Sequence, residues 1–187
     1  MSYHSRLTRE NAALLIVDHQ VGLFTGVRDI DTLTLKHNIV GLAKATAALK
    51  VPIVVTTTTE GLWGPMIPEL QEALPVVAAV EATGRKNLII TGISTDVCLA
   101  LPALSALAAG YTTYAAIDAS GAFTKQQADA GVMRMVQAGV VPVCYSNVIV
   151  EILADNAAAE ANAVYAALDM PFAGLVGGLN QYFSNKN

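Results

Sequence analysis

Short runs of apolar residues recur along the chain, and stretches with apolar residues at helical spacing separate them. Such runs are typical of strands buried on both faces, as the strands of a parallel sheet are. The runs occupy residues 12–17, 51–57, 88–92, 112–117 and 140–145. The helical spacing predicts helices over 32–49, 68–75, 95–109, 125–138 and 156–168. This alternation predicts an α/β fold in which helices cover both faces of a parallel sheet.

Proline and glycine mark the ends of several predicted helices. Pro68 fits the first position of a helix, where a missing N–H costs nothing, and Pro75 ends that helix. Residues 76–83 predict one more helical piece, with Gly84 as its C-terminal glycine. Gly139 closes a later helix in the same way.

Length and composition bound the organisation of the chain. For 187 residues we expect one domain over 1–187 with a sizeable core. Apolar residues make up 53% of the chain and charged residues only 14%, so other copies are expected to cover part of the surface in a homo-oligomer. The segment 169–187 carries Tyr182 and Phe183 in polar surroundings. It predicts either a tail that packs on a neighbouring subunit or a loose terminus.

Charge and cysteine content exclude several classes of function. A net charge of −4 without a basic stripe argues against nucleic-acid binding. Two cysteines indicate neither a disulfide framework nor a zinc site, and no metal and no cofactor is predicted. The apolar runs are too short or too interrupted to span a membrane. The first ten residues are polar and contain no signal-peptide core, so the cytoplasm is the expected location.

Cys98 is the candidate nucleophile. It follows the apolar run 88–92 and falls in the first turn of the predicted helix 95–109. Backbone N–H groups at a helix N-terminus favour a thiolate, and the C-terminal edge of parallel strands is where α/β sheets bind ligands. The alternative is that Cys98 is a small buried apolar residue.

Asp18 is the second candidate, because it directly follows the apolar run 12–17. It should therefore lie at the same sheet edge as Cys98. A carboxylate there can act as general base for a thiol or for water. The alternative is an aspartate that caps the loop by accepting hydrogen bonds from backbone N–H groups.

Four segments together resemble the isochorismatase-like cysteine hydrolases, and specifically their YcaC-like branch. They are LIVDHQVGLF at 15–24, the stretch 82–98 that ends in STDVC, LPALSAL at 101–107 and DASG at 118–121. The resemblance implies a three-layer α/β/α fold of Rossmann-like type with a central parallel sheet. It also implies a small-molecule substrate and an assembly of rings or stacked rings.

The resemblance further implies a catalytic triad of Asp, Lys and Cys, in which Asp18 is the base and Cys98 the nucleophile. A cis peptide between Ile93 and Ser94 would help to aim backbone N–H groups at an oxyanion. Members of this family act on small amides or related carbonyl compounds through a thioester. No substrate is implied for the YcaC-like branch.

The chain departs from the family pattern after Pro75. The family has a strand here that carries the basic triad residue, whereas no Lys or Arg occurs between Glu60 and Arg85. Either a segment of the protein lies outside this sequence, or the protein is shorter at this point. In the second case the chain is a catalytically impaired member of the fold that acts as a binding or structural oligomer.

A few other residues have two interpretations each. Gln20 either orients a ligand or holds a loop, and Trp63 either walls a substrate pocket or anchors an interface. Lys125 and Arg28 follow strands at the correct edge, but exposed positions are the expected ones for them. Residue Cys144, in the run 140–145, is predicted to belong to the core.

Overall fold

The computed structural model describes residues 6–74 and 79–184. Five strands form one parallel sheet in the order β2-β1-β3-β4-β5. They are β1 (Ala12–Val17), β2 (Ile53–Thr56), β3 (Asn87–Gly92), β4 (Thr112–Ala116) and β5 (Val141–Val143). The helices are α1 (Val21–Gly26), α2 (Thr32–Ala48), α3 (Glu60–Trp63), α4 (Pro68–Ala73), α5 (Ala100–Ala108), α6 (Lys125–Ala138), α7 (Tyr145–Leu153), α8 (Ala161–Leu168) and α9 (Pro171–Ser184).

The sheet separates two apolar layers, because successive side chains of a strand point to opposite faces. In β1, Leu14 and Ile16 join the larger layer, which packs against α2, α7 and α8. Leu15 and Val17 join the smaller layer, which packs against α5 and α6. All six residues of β1 and of β3 are buried, as expected for central parallel strands. The prediction of a three-layer α/β/α fold is confirmed.

The predictions at the C-terminal end need correction. The run 140–145 is not all strand: β5 ends at Val143, and Cys144 is the N-cap of α7 with an exposed side chain. The prediction that Cys144 belongs to the core was therefore wrong. The helix predicted over 156–168 begins only at Ala161, and much of the tail 169–187 forms α9.

The helix that Pro68 opens is confirmed as α4. It ends at Ala73 with Leu74 as its C-cap, two residues before the predicted end at Pro75. Residues 75–78 lie outside the described residues, so Pro75 itself and the start of the helical piece over 76–83 are not described. The second half forms a short 3₁₀ turn at Glu81–Thr83, and Gly84 follows it with a left-handed φ of 64°. No helix in the described ranges is long and apolar enough to cross a membrane.

Candidate active site

The strand order brings Asp18 and Cys98 together. The order reverses between β1 and β3, and in open α/β sheets the ligand crevice lies at that reversal, beyond the carboxyl ends of the strands. Val17 pairs with Gly92 at the last position of these two strands. Asp18 is the next residue after β1, and the turn that carries Cys98 follows β3. The two candidates from the sequence therefore share one edge, as predicted.

The chain between β3 and Cys98 is tightly held. The peptide bond between Ile93 and Ser94 is cis, as the resemblance implies, and both residues are buried. The Ser94 carbonyl accepts hydrogen bonds from the N–H groups of Val97 (3.2 Å) and Leu99 (3.1 Å). Residues Thr95–Leu99 form one wide π-helical turn, which continues directly into α5. Cys98 thus lies at the start of a helix, as the sequence predicts.

Two glycines let neighbouring elements approach this turn closely. A Cβ atom at Gly92 would lie 2.6 Å from the carbonyl carbon and oxygen of Cys98. A Cβ atom at Gly131, on α6, would lie 2.8 Å from the Cα atom of Asp96. Backbone atoms cannot move aside as the end of a flexible side chain can. A Cβ atom at either position would therefore clash, and this packing requires glycine at both.

The environment of Cys98 favours the thiol over the thiolate. The side chain is half-buried, and its pKa is raised from 9.0 to about 12, with burial as the largest cause. The Asp18 carboxylate adds to this increase, since it accepts a hydrogen bond from the thiol and its negative charge disfavours a second one nearby. A hydrogen bond that involves the Ser94 backbone lowers the pKa and offsets only part of the effect. The expected stabilisation of a thiolate by the helix N-terminus is therefore overcome.

Asp18 is buried, with only 8% of its surface exposed. Its backbone has a φ of 55°, in the left-handed region that aspartate enters more readily than most residues. Its N–H donates to the carbonyl of Thr56 (2.9 Å) at the end of β2. The carboxylate is thus fixed beside the thiol at the edge where three strands end.

His19 points away from this pair. Its ring is buried, with Nδ1 3.1 Å from the carbonyl oxygen of Val17 and Nε2 3.0 Å from that of Ala119. Burial lowers the pKa of His19 to about 4, although the two carbonyls oppose the shift. The ring therefore ties the end of β1 to the loop after β4 and takes no direct part at Cys98.

Gln20 holds a loop. Its side chain is fully buried, and Nε2 donates to the carbonyls of Gly64 (2.7 Å) and Thr58 (3.3 Å). Its Oε1 accepts from the N–H of Thr58 (3.1 Å). These bonds fix both ends of the segment that contains α3, at whose end Trp63 is half-buried against the larger apolar layer. The loop-holding interpretation of Gln20 is the one its contacts support, and a role of Trp63 as a pocket wall stays a prediction.

The two basic side chains that follow strands at this edge, Lys125 and Arg28, pair with groups outside the Cys98 site. Lys125 is exposed and pairs with Asp129 on its own helix (2.5 Å). Arg28 is exposed and donates to the carbonyls of Thr25 and Val27. No Lys or Arg side chain is among the groups that shift the pKa of Cys98. Within the described ranges, no group of three or more His, Cys, Asp or Glu side chains could hold a metal ion.

Sequence reasoning gave no role to two residues that shape the site. Asp96 adds a further negative charge that raises the pKa of Cys98. Ser120 accepts from the N–H of Gly92 (3.0 Å) and donates to the carbonyl of Ala116 (2.9 Å), which joins the ends of β3 and β4. Both belong to segments noted for their family resemblance, but only the folded arrangement shows what they contact.

Comparison with known proteins shows the family to which this chain belongs. Residues 72–146 match the isochorismatase domain. The probable hydrolase YcaC of Escherichia coli strain K12 is 39% identical over 153 residues, which cover 72% of this chain and 74% of that protein. The chain belongs to the isochorismatase family. By that membership it is a hydrolase, and its resemblance to the YcaC-like branch is confirmed.

Two solved structures share the fold of this isochorismatase-family chain over nearly its whole length. YcaC from Pseudomonas aeruginosa, solved with hexane-2,5-diol and covalent acrylamide, has a TM-score of 0.86 at 34% identity and covers 96% of this chain and 100% of that one. The E. coli YcaC gene product, described as an octameric hydrolase of unknown specificity, has a TM-score of 0.87 at 32% identity. It covers 97% of this chain and 100% of that one.

Part of the alignment with E. coli YcaC has no counterpart in this sequence. Its 153 positions fall on 72% of 187 residues, which is about 135 residues. About 18 positions of the alignment therefore have no residue in this chain.

Proposed function

We propose that this protein is a cysteine hydrolase that cleaves a small amide or a related carbonyl compound through a thioester on Cys98. The observation that carries this proposal is the buried Asp18 carboxylate beside the Cys98 thiol, close enough to raise the pKa of that thiol through hydrogen bonding and charge. A base that already binds the thiol proton can remove it as the sulfur attacks, so a low thiol pKa in the free enzyme is not required.

The proposed reaction has two steps. Asp18 takes the thiol proton while Sγ forms a bond to the carbonyl carbon, and backbone N–H groups near Ser94 and Cys98 bind the resulting oxyanion. When the oxyanion collapses, the C–N bond breaks and Asp18 returns its proton to the leaving amine. Asp18 then takes a proton from water, and the hydroxide attacks the thioester. The C–S bond breaks, the acid leaves, and the proton returns to Cys98.

A test of this proposal is the trapping of the acyl-enzyme. The purified protein would be incubated with a panel of small amides and quenched in acid, and the acyl group located by peptide mass spectrometry. We expect an adduct on Cys98 and none on Cys144. The Cys98→Ser variant should release the amine at least about 10³-fold more slowly. Amine release that continues unchanged in Cys98→Ser would contradict the proposal.

A second candidate is the impaired family member, which binds small molecules or serves as a structural oligomer. It is favoured by the raised pKa of Cys98 and by the lack of any Lys or Arg between Glu60 and Arg85. The two candidates differ in how Cys98 responds to a supplied cation. If the site needs a positive charge, added methylammonium should lower the pKa of Cys98, as measured by the pH dependence of its alkylation by iodoacetamide.

If methylammonium also restores amine release, the chain is a hydrolase whose site lacks only a positive charge. A pKa that falls without any amine release would favour the impaired member. Trimethylammonium, which has the same charge but cannot approach as closely, is the matched control.

We also propose that the protein is a homo-oligomer. The support is the set of apolar side chains exposed on α9, together with the octameric assembly named for E. coli YcaC. The small-molecule substrate and the cytoplasmic location stay predictions, as do the single domain over 1–187 and the packing of the tail 169–187 on a neighbouring subunit.

A further inference from the structure

A cavity lies at the C-terminal edge of the sheet, beside the turn that carries Cys98. Its volume is about 710 Å³, a size typical of pockets for small ligands. It is bounded by the end of β4, by Cys144 after β5 and by α6. Neither Cys98 nor Asp18 lines it. The cavity is therefore separate from the proposed catalytic pair.

The charged groups of this cavity are mostly carboxylates. Asp29, Asp118 and Asp129 line it, whereas Lys125 is its one cationic lining residue and already pairs with Asp129 at the exposed start of α6. The other two carboxylates are fixed in place by backbone N–H groups. Asp29 Oδ1 accepts from Ala122 (2.6 Å) and Asp118 Oδ1 from Tyr145 (2.7 Å). Two carboxylates are thus left without a lysine or arginine partner among the lining residues.

A buried hydroxyl group independently indicates a missing partner. Thr95 lines the cavity and is only 2% exposed, yet its Oγ1 atom has no hydrogen-bond partner among the described residues. A buried polar group without a partner is costly, and native proteins rarely leave one unsatisfied unless a water or a ligand binds there. The rest of the wall is mainly apolar and includes Ile117, Val132 and Met133.

We propose that this cavity binds a small organic cation, a primary ammonium group carried on a short apolar chain. The ammonium group would lie between Asp29 and Asp118, where it meets two negative charges in a partly desolvated setting. One of its N–H bonds would be donated to Thr95 Oγ1. The chain would contact the apolar side chains of α6. This site does not depend on the chemistry proposed for Cys98.

The test uses hexylammonium as the probe, with 1-hexanol and hexanoate as neutral and anionic controls of the same length. Binding to the intact protein would be measured by titration calorimetry. We expect hexylammonium to bind at least about tenfold more tightly than 1-hexanol, and hexanoate not to bind. Equal binding of hexylammonium and 1-hexanol would overturn the proposal, and so would no binding of hexylammonium at tens of millimolar.

Variants locate the binding. Asp118→Asn and Asp29→Asn each keep an oxygen that can accept the backbone N–H but remove the charge, so each should weaken hexylammonium binding about tenfold. Asp155→Asn is the matched control, because Asp155 also accepts from a backbone N–H, that of Ala157, outside the cavity. Unchanged affinity in both cavity variants would overturn the proposal.

Alkylation of the two cysteines distinguishes this cavity from the catalytic site. Cys144 lines the cavity and Cys98 does not. Bound hexylammonium should therefore slow the alkylation of Cys144 by iodoacetamide and leave that of Cys98 unchanged, as read by peptide mass spectrometry. Protection of Cys98 alone would place the cation at Asp18 instead and overturn the proposal.

Discussion

The negative charge of Asp18 governs the reactivity of the Cys98 thiol. Its carboxylate accepts the thiol hydrogen bond and, after burial, is the largest cause of the raised pKa of Cys98. Asp18 therefore has two opposing effects. It suppresses the thiolate in the free protein, and it provides the base that the proposed reaction needs.

Replacing Asp18 with asparagine should separate these two effects. We expect Asp18→Asn to lower the pKa of Cys98, because both the negative charge and the carboxylate acceptor are lost. Alkylation of Cys98 at pH 8 should then be faster, while any amide hydrolysis is lost. Asp96→Asn is a graded control: Asp96 acts on Cys98 only through its charge, so its loss should lower the pKa less. An unchanged or slower alkylation in Asp18→Asn would show that the carboxylate does not bind the thiol.

His19 should make the protein less stable in acid. Its pKa is 6.5 in an unfolded chain and about 4 in the folded one, so below pH 6.5 the unfolded state binds the proton more readily. The free energy of unfolding should fall as the pH falls from 6.5 to about 4, by about 3 kcal/mol in total. Urea unfolding across this range would measure the loss, and the His19→Gln variant should show a flatter curve. An equally steep curve in His19→Gln would assign the acid sensitivity to other groups.

At the scale of elements, the close contact between β3 and the turn after it determines where Cys98 lies. Gly92 touches the backbone of Cys98, and α6 reaches the same turn at Gly131. The π-helical turn is thus in close contact with β3 on one side and with α6 on the other. A side chain in place of either glycine would force the two backbones apart.

An alanine at position 92 should disturb the site and the fold together. Its Cβ atom would lie 2.6 Å from backbone atoms of Cys98, so the turn would have to move. We expect Gly92→Ala to reduce the free energy of unfolding by about 1–3 kcal/mol, the usual cost of overpacking. It should also change the pH profile of Cys98 alkylation. Gly61→Ala is the matched control, since a Cβ atom at Gly61 would contact no other element in the described part of the chain. Equal stability of the two variants would contradict the expected clash.

The sequence predicted the strands β1 to β4 and the helix α6 well and the elements from β5 onward poorly, for a physical reason. The strands β1 and β3 are buried on both faces and each contains a run of consecutive aliphatic residues, so both are easy to identify. The run 140–145 is equally apolar, but its last part begins α7, whose apolar face also packs in the core. Short apolar runs do not distinguish a strand from a buried helix.

The candidate site was predictable only in part. Asp18 and Cys98 each follow a central strand, so their meeting at one edge follows from the rule for parallel sheets. The raised pKa of Cys98 was not predictable, because it depends on how deeply the thiol is buried and how closely the carboxylate of Asp18 approaches it. The role of Gln20 was also hidden, since its partners Thr58 and Gly64 lie about 40 residues away in sequence.

At the scale of the whole molecule, the exposed apolar surface of α9 is the feature that packing within one chain does not account for. Several large apolar side chains on it are more than half exposed, and it packs extensively against no other element of the described part. They are Phe172, Leu175, Leu179, Tyr182 and Phe183. Another copy of the chain would cover this surface in the proposed oligomer.

Polar substitution on α9 should therefore weaken the assembly. We expect Leu175→Ser combined with Leu179→Ser to shift the mass measured by light scattering towards smaller species, because apolar contact area between subunits is lost. Leu33→Ser is the matched control: Leu33 is 69% exposed, like Leu175, but lies on α2. An unchanged mass for the α9 variant would place the subunit contacts elsewhere.

The unequal exposure of the two thiols has a practical consequence for inhibitor discovery. Cys144 is open to solvent, whereas Cys98 is half-buried. A screen that counts free thiols after exposure to a library of electrophiles would record mainly Cys144. Compounds chosen in that way would be selected for the wrong cysteine, and their potency would bear no relation to turnover. A Cys144→Ser protein is therefore the appropriate target for such a screen.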